Sequence, residues 1–142
     1  MASNKTLQGF GLDTSAVLRL LTGQPPAQAK RAFALVNEAR EAGRRAIVSD
    51  LVVSEAYFAL HTHYHVPKRQ AVHQLLKLLQ SGLVEPELTG CALDALQAMA
   101  TGPQKPGFVD RLIHAQYARL GARSVSFDRA FRKLTNALLL AP

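Results

Sequence analysis

The sequence has no long apolar run. No stretch reaches the roughly 18 consecutive apolar residues that a membrane-spanning helix requires, so we expect no membrane association. The first nine residues, MASNKTLQG, also lack the apolar segment of a secretory signal. We expect residues 1–6 to form a flexible lead and residues 7–142 to form a single domain, because this length is usual for one domain.

Cysteine is nearly absent, since Cys91 is the only one in the chain. It cannot form an internal disulfide, and it falls in an apolar pattern with Leu93 and Leu96. We interpret it as a small buried residue of a protein that works in the reducing cytoplasm. A catalytic thiol is disfavoured, because no neighbouring residue in the sequence would activate it.

Acidic residues are scarce. Ten Asp and Glu stand against seventeen Lys and Arg, which gives a formal net charge of +7. A basic protein attracts polyanions, and nucleic acid is the foremost of these, although many small proteins are basic without such a partner. Six of the acids are explained by solvated surfaces or helix caps: Glu38, Glu41, Asp50, Glu85, Glu87 and Asp94.

Short apolar segments alternate with helical patterns along the chain. This alternation predicts an α/β fold with a mostly parallel sheet. Strands are predicted over residues 9–13, 46–48, 83–84, 124–127 and 137–140. Helices are predicted over residues 15–21, 25–42, 50–63, 67–80, 89–100 and 108–120.

Two of the remaining acids end predicted strands. Asp13 follows the apolar start of FGLDTS, and Asp128 follows that of VSFDRA. Ligands of open α/β sheets bind beyond the carboxyl ends of the strands. If the two strands are neighbours, their carboxylates meet at that edge.

The other two acids lie on predicted helices. Glu55 is the only charged residue in LVVSEAYFAL, a helix so apolar that we expect it to be packed on more than one side. A carboxylate there stays ionised only beside a cation, which is either an arginine or a metal. Asp110 opens the helix FVDRLIHAQY, where the helix dipole alone favours an acid.

Four carboxylates that meet in one place repel one another and require a cation. Oxygen ligands point to a hard divalent ion such as Mg²⁺ or Mn²⁺. Such an ion in a basic protein suggests phosphodiester chemistry, because it can activate water and neutralise the scissile phosphate. The basic surface would then hold the rest of the polyanion.

The motifs FGLDTS, VVSEAYFAL, GFVDRLIHAQ and SVSFDRAF, in this order, resemble those of the PIN-domain family. Within that family the chain is similar to VapC-like toxins of toxin–antitoxin pairs, over about residues 7–139. The resemblance implies a three-layer α/β/α fold with a small, mostly parallel sheet. It also implies an Mg²⁺- or Mn²⁺-dependent ribonuclease that leaves a 5′-phosphate and a 3′-hydroxyl, a cognate antitoxin and a homodimer.

The resemblance assigns the catalytic acids by position. Asp13, Asp110 and Asp128 match the metal ligands of the family. Glu55 matches the acid on the central helix, which acts as a ligand or positions the attacking water.

Other side chains match supporting positions. Thr14 and Ser126 match hydroxyls that orient the metal or its water. Arg129 and Arg132 are the predicted phosphate contacts, although Arg129 and the residues after it stand where some relatives carry a further acid. Basic residues near the last two acids either grip phosphates or antitoxin, or form a solvated face: Arg111, Arg119, Arg123, Arg129, Arg132 and Lys133.

Two alternatives stay open. The chain could be a non-catalytic module that only binds RNA or protein. It could also be another Mg²⁺-dependent phosphotransfer enzyme with an aspartyl nucleophile. The second alternative is disfavoured, because Ser15 stands where such a motif has a second acid.

Overall fold

The computed structural model describes residues 9–142, and the predicted lead over residues 1–6 lies outside them. Its strands are β1 (Gly9–Leu12), β2 (Arg45–Val48), β3 (Glu85–Pro86), β4 (Val125–Ser126) and β5 (Leu138–Leu139). Its α-helices are α1 (Thr14–Thr22), α2 (Pro26–Glu41), α3 (Asp50–Thr62), α4 (Lys68–Gln80), α5 (Ala92–Thr101) and α6 (Phe108–Arg119). A short 3-10 helix over Arg129–Lys133 lies between β4 and β5.

All strand pairs are parallel in the part of the chain that the structure describes. The larger sheet has the order β1-β2-β3, and β4 and β5 form a separate pair. This confirms the predicted α/β class with a small parallel sheet, and the helices around it are consistent with a three-layer α/β/α fold. The carboxyl ends of β1 and β4 lead directly into Asp13 and Phe127–Asp128.

The third strand lies two residues later than predicted. Leu83 and Val84 were expected to pair, but Glu85 and Pro86 pair with β2 instead. Val84 is buried in the core, so its apolar character reflects packing rather than strand pairing. Pro86 is tolerated because β3 is an edge strand.

Asp50 joins three helices. Ser49 caps α3, since its hydroxyl accepts from the Val52 amide at 3.2 Å, so Asp50 is not the cap of its own helix. Its buried carboxylate instead accepts from the backbone amides of Cys91 at 2.7 Å and Ala92 at 2.9 Å, and from the Gln116 side chain at 3.1 Å. Asp50 therefore caps α5 from outside and ties it to α6. This explains why α5 begins at Ala92 rather than at residue 89.

The core fixes the start of α6. Phe108 is fully buried, and its ring centroid lies 5.1 Å from that of Tyr57 on α3. Cys91 is buried in the same cluster as a free thiol, as predicted. No helix within residues 9–142 is both long and apolar enough to cross a membrane.

Phe108→Ala is expected to lower the free energy of unfolding by about 3–5 kcal/mol, because it leaves a cavity in the core. Phe58→Ala is the matched control, since the Phe58 side chain is 52% exposed and its loss should cost far less. Chemical denaturation of both variants measures the difference. Equal losses would show that Phe108 does not anchor α6.

Candidate functional site

Asp110 and Asp128 come together on the wall of one cavity. Asp110 lies in the first turn of α6, and Asp128 follows β4. The cavity has a volume of about 370 Å³, and Lys68 and Lys105 also line it. Two acids from separate elements therefore face the same opening.

Contacts near each acid hold α6 and β4 in place. A hydrogen bond of 2.8 Å joins His114 Nδ1 on α6 to the Ser124 hydroxyl, and Ser124 is 2% exposed. Arg111 Nε donates to the Pro106 carbonyl at 2.9 Å, and Arg111 Nη2 donates to the Pro103 carbonyl at 3.2 Å. The loop before α6 is thereby folded against the helix, which places Asp110 opposite the end of β4.

Asp110 is affected by its surroundings and by the charge of Asp128. Partial burial raises the pKa of Asp110, and the negative charge of Asp128 raises it further. The direct ion pair formed within residues 9–142 joins Arg45 and Glu85, away from this cavity. The two carboxylates therefore repel each other in the wall of the cavity, and a cation placed there would favour their ionised forms.

Asp128 is held by local hydrogen bonds. Its Oδ1 accepts from the Ala130 amide at 2.9 Å and so caps the 3-10 helix. Its own amide donates to the Ser126 hydroxyl at 2.9 Å. Ser126 thus positions the backbone of Asp128. The predicted role of the Ser126 hydroxyl in orienting a metal or its water stays a prediction.

Asp13 caps α1 at the end of β1. Its Oδ1 accepts from the Ala16 amide at 2.9 Å and from the Ser15 hydroxyl at 2.7 Å. The Ala16 amide, and then the Ser15 hydroxyl, lower the pKa of Asp13. Ser15 rather than Thr14 is the hydroxyl that contacts this acid, as the spacing of an N-capping Asp could have indicated. Thr14 is the half-buried first residue of α1, and its orienting role stays a prediction.

Glu55 is exposed, so the expectation that its carboxylate lies among packed apolar side chains is wrong. The helix itself does pack against several others, namely α1, α4, α5 and α6, but one of its faces stays open. Leu51, Glu55 and Phe58 follow one another at helical spacing along a face of α3 that points to solvent. The apolar sequence of a helix shows which of its faces could be buried. The neighbouring elements decide which of these faces are actually covered. Glu55 and Asp13 do not line the cavity of the two aspartates.

The donor set suits magnesium. Among the described residues, no group of three or more His, Cys, Asp and Glu side chains is placed to hold a metal. The structure brings together Asp110 and Asp128, and the convergence of all four acids stays a prediction. Mg²⁺ is commonly bound by one or two carboxylates and completes its shell with water and substrate phosphate, so this pair fits it.

Lys68 and Lys105 are site residues that the sequence patterns missed. Lys68 begins α4, and Lys105 lies in the loop before α6. Both line the cavity with the two acids. Of the two, only Lys105 could have been predicted from the sequence, because it lies in a loop five residues before Asp110. Together these side chains can hold a phosphate beside a carboxylate-bound cation.

Five of the six basic residues predicted near the last two acids divide into two groups, and the sixth, Lys133, is exposed. Arg111, as described above, holds the loop before α6. Arg119 donates to the Gly90 carbonyl at 3.2 Å, and Arg123 donates to the Asn136 carbonyl at 2.8 Å. These three support the backbone. The two predicted phosphate contacts, by contrast, line a second cavity: Arg129 and Arg132.

Comparison with family models matches residues 11–137 to the PIN domain. Comparisons with curated proteins and with solved structures gave no match. PIN domains are generally nucleases, which supports a hydrolase that acts on nucleic acid. The match spans both strand-end acids and nearly all of the described fold. The chain therefore belongs to the PIN-domain family.

Proposed function

We propose that this protein is an Mg²⁺- or Mn²⁺-dependent endoribonuclease of the VapC-like type, the toxin of a toxin–antitoxin pair. The observation that carries the proposal is the meeting of Asp110 and Asp128 at a cavity that two lysines also line. A site that combines carboxylates with ammonium groups suits an anionic substrate together with a divalent cation. The net charge of +7 supports a polyanionic substrate.

Asp110 and Asp128 would hold the metal, with Asp13 as a third ligand and Glu55 as a ligand or water-positioning group. A divalent ion supplies Lewis acidity at the scissile phosphate and makes nearby water more acidic. Hydrolysis then needs no side-chain nucleophile and leaves a 5′-phosphate and a 3′-hydroxyl.

The chain's own residues bind and orient the substrate around that site. The ammonium groups of Lys68 and Lys105 attract phosphate to the cavity wall. The hydrogen bonds that Asp128 makes with Ser126 and Ala130 fix the backbone that carries its carboxylate. These contacts set the geometry before the substrate arrives, which reduces the cost of reorganisation.

A cognate antitoxin and a homodimer are proposed as partners. The support is an exposed apolar stripe along α6 and its C-cap, formed by Ile113, Tyr117 and the capping residue Leu120 at helical spacing. Light scattering of the purified protein tests the dimer, and co-purification with the product of a neighbouring reading frame tests the antitoxin. A cytoplasmic site of action is proposed with them, because Cys91 is a buried free thiol.

Cleavage of end-labelled single-stranded RNA tests the proposed activity. We expect cleavage with Mg²⁺ or Mn²⁺, loss of cleavage with a chelator, recovery on adding the metal back, and products that carry a 5′-phosphate. Cleavage that persists in chelator would contradict the metal-dependent mechanism. RNA binding without cleavage at any metal concentration would favour the non-catalytic binding module.

Replacing Lys68 and Lys105 by Ala is expected to weaken RNA binding. Each phosphate contact that is lost should reduce the slope of log affinity against log salt by about 0.7 for a single strand. Fluorescence anisotropy of a labelled RNA at several salt concentrations measures that slope. Lys30→Ala, on the exposed side of α2, is the matched control and should leave the slope unchanged. An unchanged slope in the double variant would show that the two lysines do not contact phosphate.

A further inference from the structure

A second cavity is lined by residues that flank Asp128 in the sequence. Its volume is about 440 Å³, within the range of roughly 300–1,000 Å³ that is usual for small-molecule sites. It lies next to Asp128 along the chain, since the residues on either side of Asp128 line it. Its lining includes Phe127, Arg129, Arg132, Leu139 and Leu140.

Phe127 gives this cavity an aromatic surface that faces solvent. Its side chain is 69% exposed, the highest fraction among the aromatic residues that the structure describes. Leu140 is also exposed beside it in the cavity wall. A flat apolar ring that is open to water is a suitable platform for a nucleobase, because every base has a face that can stack on it.

Arg129 and Arg132 add positive charge to the same cavity. Both belong to the 3-10 helix, in which residues three apart lie above one another, and both are exposed. Guanidinium groups bind phosphate through paired hydrogen bonds. Their placement contrasts with that of Arg119 and Arg123, whose side chains donate to backbone carbonyls.

We propose that this cavity is a nucleotide-binding subsite for single-stranded nucleic acid. A base stacks on Phe127, and Arg129 and Arg132 bind the phosphate attached to that nucleotide. The proposal rests on the proposed nuclease function and extends it, since the residues on either side of Asp128 would then bind a further nucleotide of the same strand. A duplex is excluded from this role, because its bases are already stacked on each other and cannot reach the ring.

The absence of tryptophan makes a direct test possible. Phe127→Trp introduces a single tryptophan whose emission reports stacking by a base. The experiment uses the Asp110→Asn background, so that added RNA is not consumed. We expect a short single-stranded RNA to quench the emission saturably, with the same midpoint as the anisotropy of a labelled RNA.

Phe33→Trp is the matched control in the same background. Phe33 lies on α2, is 38% exposed and lines a different cavity, so RNA should not quench this tryptophan. Affinity gives a second readout. Phe127→Ala should weaken RNA binding by about 10-fold, whereas Phe127→Tyr, which keeps the ring, should stay within about 2-fold.

The outcomes separate this subsite from the nuclease function. RNA binding without quenching of the tryptophan at position 127 overturns the subsite and leaves the nuclease proposal standing. If the emission shifts with protein concentration in the absence of RNA, a second copy of the chain covers the ring. That result also overturns the subsite. Absence of RNA binding in every variant and in the unmodified chain overturns both proposals.

Discussion

Asp128→Asn is expected to reduce RNA cleavage by about 10³-fold while the fold stays intact. The amide keeps an oxygen that can accept from the Ala130 amide, so the cap of the 3-10 helix is retained. It removes the negative charge that would bind the metal, and with it several kcal/mol of charge stabilisation in the transition state. Initial rates of RNA cleavage in metal-replete buffer measure the loss, and thermal unfolding measures the fold.

Asp110→Asn should produce a similar loss of cleavage with a different effect on the fold. Because partial burial and the charge of Asp128 disfavour ionisation of Asp110, replacing it by a neutral group removes a repulsion. We therefore expect its free energy of unfolding to be unchanged or higher. Asp94→Asn, on the exposed side of α5, is the control and should cleave normally. Full cleavage by the Asp110 and Asp128 variants, in preparations free of other nucleases, would contradict the proposed site.

Helices that are marked by an apolar periodicity within their own residues were predictable from the sequence. The α4 pattern predicted residues 67–80 with one apolar face, and α4 spans Lys68–Gln80. Of the five apolar residues predicted on that face, four are buried and Leu76 is half-buried; the buried ones are Ala71, Val72, Leu75 and Leu79. Periodicity succeeds here because each apolar residue reports on the same face of one continuous element.

Features that depend on distant residues were not predictable. The start of α5 is set by Asp50, whose carboxylate lies 41 residues earlier in the chain than the Cys91 amide that it accepts from. The exposure of Glu55 depends on which face of α3 its neighbours leave open. Neither arrangement leaves a trace in a local pattern, because the partner belongs to another element.

The candidate site also contains residues that were predictable from the local sequence and residues that were not. Asp110 and Asp128 were identified from their places at a helix start and a strand end, and the structure brings them to one cavity. Lys68 and Lys105 join that cavity only through the packing of α4 and the loop before α6. Position along an element can therefore indicate which carboxylates meet at one cavity, but the residues that complete its wall require the tertiary structure.

Asp13→Asn is expected to reduce RNA cleavage by about 10³-fold if this acid is the third metal ligand. Asp13 already has a structural role, since its Oδ1 caps α1 through the Ala16 amide and the Ser15 hydroxyl. Asn caps helices about as well as Asp does, so the free energy of unfolding should change by less than about 1 kcal/mol. The substitution thus removes the charge and keeps the cap.

Asp13→Ala separates the two roles, because it removes both. It should lower the free energy of unfolding by about 0.5–2 kcal/mol through loss of the cap, in addition to the loss of cleavage. Paired unfolding and cleavage measurements on the Asn and Ala variants give both quantities. Because Asp13 does not line the cavity of Asp110 and Asp128, normal cleavage by Asp13→Asn would confine the metal ligands to that pair. Asp13 would then be a helix cap alone.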